Sequence, residues 1–94
     1  MHTLQVEYPV LDFDTWKAAF DSDPGNRAQS GVRQYRVYRL VDDPEYVVVS
    51  LDFDTIAEAA AFHETIRRVF RRLDGTMIRN PRSRLAQLVE RGEY

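Results

Sequence analysis

The stretch LDFDTWKAAF at residues 11–20 returns at residues 51–62 as LDFDTIAEAAAF. Each copy follows a segment suited to a strand. QVEY (5–8) alternates polar and apolar residues, and EYVVVSLDF (45–53) is rich in β-branched ones. Each copy also leads into an alanine-rich helical pattern. Asp14 and Asp54 stand where a carboxylate accepts hydrogen bonds from the first helical turn and opposes the positive end of its dipole. The phrase therefore reads as a strand end, a turn and a helix cap, used twice.

The other elements follow from this frame. A first helix is predicted over about Thr15–Asp21, with Trp16, Ala19 and Phe20 on one face. DSDPGNRAQSG (21–31) is a loop, broken by Pro24-Gly25 and left through Gly31. VRQYRVYRLV (32–41) is a strand, and DDP (42–44) turns it back into residues 45–53 as a hairpin. A second helix spans about Thr55–Leu73 and ends at Asp74-Gly75. RLAQLVE (84–90) is the candidate last strand. The order β-α-β-β-α-β defines an α+β, ferredoxin-like fold, with both helices on one face of a four-stranded antiparallel sheet. A chain of 94 residues is read as one domain, 1–94.

Composition excludes several chemistries. With no cysteine there is no disulfide, thiol nucleophile or thiolate metal site. The two histidines, His2 and His63, have no acidic cluster at ligand spacing, so no protein-built metal site is expected. There is no nucleophile-elbow, P-loop or dinucleotide-binding motif. No apolar run is long enough to span a membrane and no leader pattern opens the chain, so a cytoplasmic location is expected. Arg67, Arg68, Arg71 and Arg72 fall between apolar positions, as on a solvated helix face. EYVVVSLDF lacks the glycines and aromatics of an RNA-binding third strand, so no nucleic-acid partner is expected.

Strand alternation places Leu4, Val6, Tyr8, Val47, Val49 and Leu51 on the helix side of the sheet. The opposite face is mixed, with Val48 and Tyr38 among polar groups. A second copy of the sheet suits such a face better than open solvent, so a homodimer is expected. His63 lies three residues before Ile66 and seven after Ile56, in the inward stripe of the second helix. It is either a core imidazole with a local partner or the acid–base group of a pocket. Trp16 is a core aromatic or a stacking wall. Tyr35 and Tyr38 lie on opposite faces of their strand. Arg36 pairs with Glu7 or with a carboxylate of the second copy, or else binds an anionic oxygen.

The runs FDTWKAAFDSD (13–23), VYRLVDDPEYVVVSLDF (37–53) and EAAAF (58–62), with Arg27 and Gly31-Val32, resemble the dimeric α/β-barrel superfamily. Within it the chain is most similar to the small antibiotic-biosynthesis-monooxygenase-like proteins, over about residues 3–90. The resemblance implies two sheets packed face to face in a dimer, each subunit holding a small-molecule pocket between sheet and helices. It implies cofactor-independent oxygenation or cyclisation of an aromatic, polyketide-like molecule. The substrate's own enolate or phenolate would supply the electrons. His63 is then the catalytic candidate, and Trp16, Tyr35, Arg36, Phe62 and Ile66 are the substrate-binding ones. Haem-handling relatives carry an asparagine on the first strand and a tryptophan beside the helix histidine; neither stands here, and no cofactor is expected. The alternative is a non-catalytic ligand-binding or assembly module whose pocket is filled by Phe62, Ile66, Phe70 and Trp16.

Overall fold

A computed structural model describes all 94 residues. The elements are β1 (His2–Pro9), α1 (Phe13–Asp21), β2 (Val32–Arg39), β3 (Tyr46–Phe53), α2 (Ile56–Leu73) and β4 (Arg82–Gln87). The strands form one antiparallel sheet in the order β2-β3-β1-β4. This is the ferredoxin-like arrangement expected from the element order.

Register explains the burial. Leu4 lies opposite Leu51, Val6 opposite Val49 and Tyr8 opposite Val47. All six are buried, and they form one core with Trp16 of α1 and with Ala59, Phe62 and Phe70 of α2. The inward stripe of α2 differs from the expected one at its start, because Ile56 in the first turn is exposed. On β2 the register puts Tyr35 and Val37 on the helix side and Tyr38, opposite Val48, on the other.

The repeated phrase is used in two different registers. In the first copy Asp12, not Asp14, caps the helix: its carboxylate accepts from Thr15 N–H at 2.9 Å and from the Thr15 hydroxyl at 2.6 Å. In the second copy Leu51-Asp52-Phe53 remain in β3 and the cap is Thr55, which accepts from Glu58 N–H at 3.1 Å. Thr55 and Glu58 have the spacing of a capping box, which outcompetes Asp54 for the first turn. Asp54 instead meets Arg33 at 2.7 Å. The same five letters thus start two helices at positions three residues apart.

The last strand also differs from its expected span. β4 runs antiparallel to β1 from Arg82 opposite Glu7 to Gln87 opposite His2. β1 has no residue in the sheet before His2, so residues 88–90 have no strand to pair with beyond one bond from Leu88 N–H to the Met1 carbonyl. No helix is long and apolar enough to cross a membrane.

Candidate functional site

Where α1, α2 and the 22–31 loop meet above the sheet, the core leaves a cavity of about 70 Å³. Trp16, Phe20, Phe62, Ile66 and Phe70 wall it, and Val6, Val49 and Leu51 floor it. Pro24, Gly25 and Arg27 of the loop complete its rim. Gly25 lies so close to Phe62 that a Cβ there would sit 3.0 Å from the ring edge. The absence of a side chain at residue 25 therefore keeps this part of the cavity open.

Two polar groups border the space. Tyr8 is only 4 % exposed. Trp16 Nε1–H donates to its hydroxyl oxygen at 3.0 Å. Its ring is held edge-on between Trp16, at 6.1 Å between centroids, and Phe70, at 5.2 Å. Burial pushes the Tyr8 hydroxyl up to about 12, with the bond from Trp16 opposing part of the rise, so the group stays a neutral phenol across the physiological range. Arg27 lies with its guanidinium 3.9 Å above the Phe20 ring and 4.9 Å from that of Tyr35. It donates to the Phe20 carbonyl at 2.8 Å and stands 3.5 Å from the Asp23 carboxylate. A cation is thereby fixed at the mouth of an otherwise apolar space.

Of the residues singled out in the sequence, Trp16, Phe62 and Ile66 meet in the cavity wall. Tyr35 packs at 5.5 Å against Phe20, outside the lining, and is 47 % exposed. Arg36 lies on the opposite face of the sheet, 3.6 Å from Asp52. That carboxylate is only 3 % exposed and also accepts from Thr3 at 2.8 Å and Gln34 at 3.1 Å. The ion pair is therefore within the chain, and Glu7 faces Arg84 instead, at 4.0 Å.

His63 does not line the cavity. Its Nε2 lies 2.6 Å from Ser83 Oγ, bridging α2 to β4, and the residue is 7 % exposed. Burial, and then the Arg67 guanidinium, lower its pKa from the ordinary 6.5, against a smaller opposing pull from Glu64. The folded state thus binds this proton less well than the unfolded chain. The contribution of His63 to stability is complete above about pH 6.5 and declines as pH falls below it. Melting curves from pH 7.5 to 5 should show wild type losing more stability than His63→Gln. Equal slopes would mean that His63 is not buried as a neutral imidazole.

Tyr8 and Arg27 are the site residues that sequence reasoning missed. Tyr8 was legible as inward-facing, and it carries the one hydroxyl of the stripe Leu4-Val6-Tyr8. Arg27 entered only as part of the family resemblance, with no role at the site, because its place depends on how the loop closes over α1 and α2.

No protein-family model matches the chain, and no curated protein matches it significantly. Its fold is shared with solved structures over nearly its whole length. A Nitrosomonas europaea protein named "putative antibiotic biosynthesis monooxygenase" superposes with a TM-score of 0.63 at 21 % identity, covering 96 % of this chain and 100 % of its own. A Bordetella bronchiseptica protein bearing the same name gives 0.72 at 14 % identity, covering 95 % and 98 %. A Shewanella oneidensis protein whose name carries no activity gives 0.71 at 17 %, covering 90 % and 87 %. The chain has the ferredoxin-like fold of the antibiotic-biosynthesis-monooxygenase-like proteins. At these identities the likeness is one of fold.

Proposed function

We propose that the protein is a cytoplasmic homodimer whose helix–sheet cavity encloses a flat, hydroxylated aromatic or polyketide-like molecule. It oxygenates or cyclises that molecule without a metal or flavin. The observation that carries this reading is the cavity itself, an aromatic-walled space with a single buried hydroxyl inside and one cation at its mouth. In the oxygenation, an activated methylene flanked by electron-withdrawing groups loses a proton, and the resulting carbanion supplies electrons to dioxygen. Overall CH2 and O2 become C=O and H2O. The chain excludes water and orients the substrate. No residue of the lining takes a proton readily at neutral pH, so the substrate must be acidic enough to ionise with little help.

The dimer is formed through the outer sheet face, where Val48 pairs with Tyr38 to one side of the Asp52–Arg36 ion pair. The arginines of α2 are a solvated face with no nucleic-acid partner.

A second reading, a ligand carrier or assembly module without chemistry, is favoured by the same cavity's small volume and its lack of a base. Oxygen uptake separates the two. With hydroxylated aromatic ketones that carry an activated methylene, the enzyme reading expects uptake above the buffer rate, one O2 for each ketone formed. Ligand binding without uptake or cyclised product would leave the carrier reading.

A further inference from the structure

Tyr8 is buried, its ring is clamped on two sides, and the only hydrogen bond of its hydroxyl is the one it accepts from Trp16. An indole N–H can only donate, so the phenolic oxygen is the acceptor in that bond and its own proton has no acceptor in the protein. Accepting from Trp16 also polarises the O–H and strengthens it as a donor. An unpaired buried donor is costly to leave unmade, and this one borders the cavity. We propose that the Tyr8 hydroxyl is the polar anchor of the cavity, donating to one carbonyl, enolate or phenolate oxygen of a bicyclic or larger ligand, with Trp16 as its positioning residue.

This inference rests on the cavity being a ligand pocket and adds the feature of the ligand that the pocket reads. Its high pKa fits the role, because a phenol that stays protonated stabilises charge on the ligand oxygen without exchanging its proton for it. The surrounding lining is hydrocarbon apart from Arg27 at the mouth, so Tyr8 is the one donor that a ligand oxygen meets at depth. At about 70 Å³ the space is smaller than the roughly 150 Å³ that accommodates benzene, so a bicyclic ligand must widen it.

Trp16 is the only tryptophan and touches Tyr8, so its fluorescence reports ligands at this position. The test titrates wild type and Tyr8→Phe with 1-tetralone and with tetralin. These share a ring system and differ by one carbonyl oxygen, which accepts and cannot donate. Wild type should bind 1-tetralone about ten-fold more tightly than tetralin, and Tyr8→Phe should bind the two equally. The wild-type ratio decides the matter without the variant: binding of both probes with a ratio near one overturns the anchor and leaves the pocket standing. A ratio that persists in Tyr8→Phe assigns the selectivity elsewhere and also overturns it. If neither probe binds wild type, the pocket reading fails first and the anchor with it.

Discussion

Trp16→Ala should be among the most damaging single changes in this chain, costing about 3–5 kcal/mol, as truncation of a buried aromatic does. The indole stacks on Phe20 at 5.3 Å, packs against Phe13 at 5.8 Å, and meets Tyr8 both edge-on and through its N–H. Removing it withdraws the apolar contact that ties α1 to β1 and leaves the Tyr8 oxygen buried without its donor. Domains of this size are stable by only about 5–15 kcal/mol, so roughly a fifth or more of the total goes. At about 4–8 °C per kcal/mol, the melting point should fall by roughly 12–40 °C, read by far-UV circular dichroism. Trp16→Phe keeps most of the packing and should lose far less. A fall of only a few degrees in Trp16→Ala would show that the ring does not sit in the core.

Val48→Asp should convert the proposed dimer to a monomer. Val48 is in the centre of the outer face, opposite Tyr38 on β2 and Glu7 on β1. Across a two-fold axis each new carboxylate would be desolvated against the partner sheet, close to Glu7 and with no cation added. Burying such a charge unpaired costs several kcal/mol, enough to raise the dissociation constant by about 100-fold or more. Analytical ultracentrifugation at micromolar concentration should find wild type at twice its 11.0 kDa chain mass and the variant at the chain mass. A wild type that sediments at 11.0 kDa, or a variant that remains paired, would contradict the face-to-face arrangement.

The fold was legible because period-2 alternation survives into the structure along β1 and most of β3, while β2 shifts register between Val32 and Gln34. Leu4, Val6 and Tyr8 alternate with Thr3, Gln5 and Glu7, and the buried members are the expected ones. The exact use of LDFDT was not legible, since Asp12 and Thr55 compete with Asp14 and Asp54 for the same N–H groups. The outcome turns on whether the strand before has already ended. At the site, helical spacing identified Trp16, Phe62 and Ile66, because an inward stripe is a local property. Spacing also put His63 inward, correctly, but the direction of its ring was decided by Ser83 twenty residues away. Arg36 was drawn to Asp52 for a similar reason: β2 and β3 register puts Gln34 opposite Asp52 and Arg36 next along the same face. The cavity itself arises from the helices, the sheet and the loop together, so no window of the chain contains it.

The central claim is that the space above Val6, Val49 and Leu51 is a ligand pocket. The measurement that tests it most directly is the melting point of wild type and Gly25→Val across a panel of flat hydroxy-aromatics and quinones. A ligand confined to the folded state adds about 2.7 kcal/mol at a hundred-fold excess over its dissociation constant, which is roughly 10–20 °C here. The valine side chain would press on the Phe62 ring and the Ile66 side chain and fill the cavity. The account predicts that at least one of these compounds raises the melting point of wild type and fails to raise that of a folded Gly25→Val. No rise in wild type with any of them, or the same rise in both proteins, would contradict it.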